Sequence, residues 1–150
     1  MKNFSITCGQ PLVLVEGLVY LSPGLADFSL EALAQLHLKI GATDWIFGCA
    51  SDGESLEIGQ GDLEEANLGE YGVLKKHDLS SIGPFQGLIS RTLISRYDVV
   101  QKDSGKRVGV VFRFNQGELT ICNWGDTLRS WNNVPSQLFE SEGLDLSPSI

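Results

Sequence analysis

At 150 residues, with 42% apolar and 20% charged side chains, the chain suits one globular domain that buries about two-thirds of its unfolded surface, and it is too apolar for a disordered one. The net charge of -8 arises between Ile40 and Leu74, where eight carboxylates (Asp44, Asp52, Glu54, Glu57, Asp62, Glu64, Glu65 and Glu70) stand without a lysine or arginine; eleven acids and eleven bases balance elsewhere. Such a field opposes nucleic-acid phosphates and speeds encounter with a cationic protein.

Cys8, Cys49 and Cys122 are odd in number and widely spaced, which excludes a disulfide framework or a CxxC site and makes them expected buried apolar residues in a reducing compartment. Near the N-terminus Glu16 breaks the apolar run that follows Lys2, and no small-residue cleavage site follows. No segment reaches the ~18 apolar residues of a membrane span. The expectation is a cytoplasmic protein with no membrane partner.

Pro11 to Leu21, with Val13 and Val15 alternating against Leu12, Leu14 and Glu16, reads as a strand ended by Ser22-Pro23-Gly24. Leu30 to Ile40 reads as the main helix, capped by Asp27 or Ser29 and closed by Gly41. Leu30, Leu33, Leu36, His37 and Ile40 then share one face, with His37 a packed boundary residue. Trp45–Cys49 and Ser55–Ile58 are strands joined at Ser51-Asp52-Gly53. After Gly59-Gln60-Gly61, Asp62 to Leu68 suits one or two helical turns with acids in the first. Tyr71–Lys76 is a further strand, Ser80–Pro84 a loop and Phe85–Ser90 a loop or short helix.

The second half is an antiparallel meander. Phe85, Leu88, Ile89, Thr92, Leu93, Arg96, Tyr97 and Val100 also fall at helical spacing, but Leu93–Gln101 is rich in β-formers and is read as a strand. It turns at Asp103 to Lys106 into Arg107–Phe114, which places Val108, Val110, Phe112 and Phe114 on one face. A Gln116-Gly117 loop sets Leu119 opposite Phe114 and Ile121 opposite Phe112; a three-residue loop with a bulge turns Cys122 and Trp124 to that face instead. Lys102, Lys106, Arg107 and Arg113 lie along this hairpin as solvated edge charges. Trp45 is expected in the core; Trp124 and Trp131 flank irregular chain and suit core or interface. Residues 1–139 make the domain, and the Ser- and acid-rich 140–150 is expected to fray.

No phosphate loop, dinucleotide fingerprint, HExxH, GxSxG or EF-hand spacing is present, and His37 and His77 are the only histidines. A turn gathering Asp52, Glu54 and Glu57 would offer hard oxygen ligands. Solvation is the commoner fate of such clusters, so no metal, cofactor or catalytic residue is assigned, and the reading leans away from an enzyme.

Gly105-Lys106-Arg107-Val108-Gly109-Val110-Val111-Phe112-Arg113-Phe114, then Gly117-Glu118-Leu119 and Asn123-Trp124-Gly125-Asp126-Thr127-Leu128, resembles a terminal hairpin of small bacterial proteins, some of which look like immunity proteins of polymorphic or contact-dependent toxin systems. The resemblance implies a stoichiometric inhibitor of a toxin domain. The sequence expectation is an α+β fold, a mostly antiparallel sheet of about six strands with one main helix on a face. The leading function is an acidic binding protein that sequesters a basic toxin through Asp52, Glu54, Glu57, Asp62, Glu64, Glu65, Trp124 and Asp126. A small carboxylate-based or metal-dependent enzyme and a structural homo-oligomer are the alternatives.

Overall fold

Strand alternation of apolar and polar residues governs most of the chain, and it folds as two stacked antiparallel sheets. The computed structural model describes residues 8–24, 29–30 and 33–148; the Asp27 cap lies outside them. β1 (Leu12–Leu21), β2 (Leu33–Ile40), β3 (Thr43–Cys49), β4 (Leu56–Gln60), β5 (Ala66–Asn67) and β6 (Val73–Asp78) form a six-stranded sheet in the order β4-β3-β2-β1-β6-β5. β7 (Leu93–Gln101), β8 (Arg107–Phe114), β9 (Glu118–Asn123), β10 (Leu128–Trp131) and β11 (Leu144–Pro148) form a five-stranded sheet in the order β10-β9-β8-β7-β11. Together with α1 (Ser136–Ser141), this is an α+β fold with a six-stranded antiparallel sheet and one helix packed on a sheet face. No helix of the described residues is long and apolar enough to cross a membrane.

The core lies between the sheets. Val15, Val19, Leu36, Leu38, Trp45, Phe47 and Leu56 of the first sheet meet Val110, Phe112, Phe114, Leu119, Ile121 and Leu128 of the second, all buried. Phe47 and Phe112 touch across the interface edge to face, centroids 5.8 Å apart. Behind the second sheet, α1 seats Phe139 in a smaller cluster with Val99, Val111, Cys122 and Leu144, flanked by Trp124 and Trp131.

Cys8, expected to be buried, is exposed, and a bulge in the β7–β8 ladder turns Val108 away from Val110, Phe112 and Phe114 to the cluster behind the second sheet. Four expectations about elements and pairing also change. Leu33–Ile40 is the strand β2, not a helix. Leu36, Leu38 and Ile40 also alternate with His37 and Lys39, and β2 gains ladders on both sides, to β1 and β3. Helix propensity is worth only tenths of a kcal/mol per residue, which two ladders and a buried face outweigh. Asp62 to Leu68 is extended rather than helical, because it must reach from one sheet edge to the other. The acid-rich end does not fray over Leu144–Pro148, which pairs with β7 and buries Leu144.

The fourth change concerns the β8–β9 turn. Phe112, Phe114, Leu119 and Ile121 do share a face, but Phe112 pairs with Leu119, two residues from the expected register. The loop closes at Asn115-Gln116, where Phe114 N–H donates to the Gly117 carbonyl, and Gly117 takes the positive φ. Asn115 leaves the hairpin because its side chain and N–H bond Thr92.

Phe112 is fully buried between the sheets, so Phe112→Ala is expected to cost about 3–5 kcal/mol of stability, read as a lowered urea midpoint.

Candidate functional site

The face of the six-stranded sheet turned away from the core carries the polar half of the alternation. Glu16 on β1 pairs in register with His37 on β2, and Asp44 on the neighbouring β3 lies opposite Lys39. His37 Nδ1 is 3.1 Å from Glu16 Oε1 and its Nε2 is 2.8 Å from Asp44 Oδ1. The ring is 3% exposed although it faces outward.

Its cover is the chain that follows β4. Gly61 N–H donates to the Asp44 carbonyl, and Glu65 accepts from Lys76 N–H on β6. Between these anchors the segment crosses the outer face, with Leu63 buried against it. The crossing delivers Asp62, so that one ligand atom each from His37, Asp44 and Asp62 falls within 4.8 Å of the others. Beside them a groove of about 300 Å³ is lined by Gln35, Ile46, Gly48, Glu57, Gly59 and Asp62.

Two carboxylates around one imidazole constrain the chemistry. Each ring nitrogen faces a carboxylate oxygen, so the ring can donate to one or both of them, or donate at Nδ1 and bind a cation at Nε2. If Glu16 accepts from Nδ1, the Nε2 lone pair is the one available to a cation shared with Asp44, the usual arrangement around metal-bound histidines. One imidazole with two carboxylates suits manganese, iron or zinc better than calcium, which takes oxygen alone.

The sequence-selected residues fall in separate places. Asp52 and Glu54 sit in the β3–β4 loop and bind Lys106 from the β7–β8 turn, 3.5 Å and 2.5 Å away. Asp52 also accepts from Glu54 N–H, Ser55 N–H and the Ser55 hydroxyl. Trp124 and Asp126 belong to the β9–β10 turn beside that loop, where Asn123 bonds both the Ser55 carbonyl and Asp126 N–H. Gly125 and Asp126 both have positive φ, and Trp124 and Thr127 exchange backbone bonds. This is a two-residue hairpin turn, so the Asn-x-Gly-Asp signature has a structural reason.

Glu57 and Asp62 line the groove, Glu64 is exposed, and Glu65 is held down by its bond from Lys76 with Lys75 and Lys76 nearby. The stretch without bases is thus met by Lys106, Lys75, Lys76 and His37 from elsewhere in the chain. Asp44 belongs to the anionic stretch, but its pairing with His37, whose other nitrogen meets Glu16, is not legible in the sequence. The available signal was that Glu16 and His37 interrupt apolar runs at positions facing away from the core. Among the cysteines, burial pushes the Cys122 thiol up to about 12, and burial together with the Asp126 charge raises that of Cys49. Neither favours a thiolate nucleophile at neutral pH.

No protein-family model, curated protein or solved structure matches the chain.

The Ser55 hydroxyl, the Ser55 and Glu54 amides and the Lys106 charge hold the Asp52 carboxyl well below the usual carboxylate range. A depressed folded-state value adds stability that is full above the ordinary aspartate pKa and fades as pH falls through the lower folded one. Asp52→Asn is therefore expected to melt lower than the parent at pH 7, with the difference shrinking between pH 4 and pH 2, read by thermal melts across that range.

Proposed function

We propose that this protein binds a divalent first-row metal ion through His37 Nε2, Asp44 and Asp62, and acts as a small metal-dependent enzyme or ligand-binding protein. The observation that carries this reading is the convergence of three potential ligand atoms within 4.8 Å around a buried histidine whose other nitrogen is held by Glu16. Metal–ligand bonds of about 2.0–2.2 Å require these atoms to close to roughly 4 Å or less. Asp62 is exposed and has the freedom to make that adjustment. Three protein ligands leave coordination positions for water or substrate. The adjoining groove, at the small end of ligand-site sizes, gives a small polar molecule access to the ion.

In this reading Glu16 orients the imidazole and does not itself ligate. A bound ion would supply Lewis acidity toward a water or a substrate oxygen, and Glu57 and Gln35 would contact the molecule in the groove.

A second reading, the acidic inhibitor of a basic toxin domain, is supported by Glu57, Asp62 and Glu64. These are exposed and form no ion pair among the described residues. A toxin gene immediately upstream would support it, and a metabolic operon would sink it.

The metal reading is tested by titrating the protein with manganese or zinc. One equivalent is expected to bind and to raise the melting temperature, by about 2.7 kcal/mol of stabilisation at a hundredfold excess over Kd. Asp62→Asn, an exposed change, is expected to weaken binding at least tenfold while the metal-free protein melts as before. Stoichiometric binding undiminished in this variant, or no shift with either metal, would reject the site.

A further inference from the structure

Every open sheet ends in two edge strands whose outward N–H and C=O groups can pair with another chain, and proteins block such edges. Among the described residues, two of the four edges are blocked by bonds to their outward groups, and a third is flanked by neighbouring chain. Beyond the two residues of β5, the outward N–H of Lys76 on β6 is taken by Glu65. On β11 the outward N–H of Leu146 bonds the Asp145 carboxylate, and Pro148 has none to offer. β10 is flanked by the start of β2, with Leu30, Leu33, Leu128 and Ser130 lining a pocket between them.

β4 is different. The bonds Ala50 N–H to Ser55 O and Gly61 N–H to Asp44 O bracket its ladder with β3, and Glu57 and Gly59 pair between them with Gly48 and Ile46. Antiparallel bonding alternates, so Leu56, Ile58 and Gln60 direct their N–H and C=O groups away from β3. Ile58 and Gln60 have no partner for these groups among the described residues. Among the described residues, neither a proline nor a covering segment protects this edge.

We propose that β4 is a strand-addition site for an extended segment of a partner protein in which basic residues alternate with apolar ones. Backbone bonds to Ile58 and Gln60 set the register of the added strand. Its side chains on the outer face lie over the groove lined by Glu57, Gly59 and Asp62, which contains no basic residue. Alternate side chains lie beside Ile58, which packs on the core. Charge decides against a second copy of this chain as the occupant, because antiparallel self-pairing would bring the Glu57 side chains of both copies to the same face. The site is carried by the β4 backbone and the Glu57 carboxylate, and it requires no metal at His37.

The test is an amide-resolved NMR titration of the full chain with a heptapeptide alternating valine and lysine. Ile58 and Gln60 are expected to show the largest shifts and slowed hydrogen exchange. Gln60→Pro removes one outward N–H without touching the β3 ladder, and is expected to weaken binding at least tenfold. Glu57→Lys provides a second variant that leaves the edge backbone intact, with the same expected loss. A peptide alternating valine and glutamate is expected not to bind. Unperturbed Ile58 and Gln60 amides, equal binding of the acidic peptide, or a dimer that protects these amides without peptide would each overturn the proposal.

Discussion

The apposition of the two sheets through Phe47, Phe112 and their neighbours is the constraint from which the other features follow. Close packing on the inner faces dictates which half of each alternating strand points inward, and the other half is left to chemistry. On β2 the inward set is Leu36, Leu38 and Ile40, so His37 must point out. On β1 Val15 and Val19 point in, so Glu16 points out beside it. A shift of one residue would turn Glu16 inward and expose valine on β1, or turn His37 inward and expose leucine on β2, so the register of the core also holds the histidine and its carboxylate in place.

The connection from β4 to β5 adds what the alternation cannot. Because these strands occupy opposite edges of the sheet, the link has to traverse the outer face. Leu63 seats it and Glu65 ties its far end to β6. In crossing, it covers His37, supplies Asp62 and forms one wall of the groove. It also leaves β4 at the border of the sheet, and the same topology that completes the cluster exposes the β4 backbone.

The charge layout is transformed in the same way. Eight acids in succession without a base describe the chain, but not the folded surface. Lys106 reaches Asp52 and Glu54 from a hairpin some fifty residues away. The cationic hairpin is likewise occupied: Arg113 bonds Glu118 and lies over the ring of Tyr97. Opposite charges remote in sequence meet because the two sheets bring their loops to a common end. What remains unpaired around Glu57, Asp62 and Glu64 is smaller than the sequence suggests, and it is concentrated beside the open edge.

The sequence by itself determined the class of fold, the strands β1, β3, β4, β6, β8 and β9, the second half of β7, the shared face of Val110, Phe112, Phe114, Leu119 and Ile121, and the burial of Trp45. Each rests on local alternation or on turn residues, which act over a few positions. Tertiary structure alone decided the rest. It made Leu33–Ile40 a strand where helical and alternating spacings coexist, and it paired the acid-rich end with β7. It also assembled Glu16, His37, Asp44 and Asp62 from three strands and a crossing segment. Those four residues lie up to 46 positions apart, and no local pattern encodes contacts over that separation; only the order of strands in the sheet does.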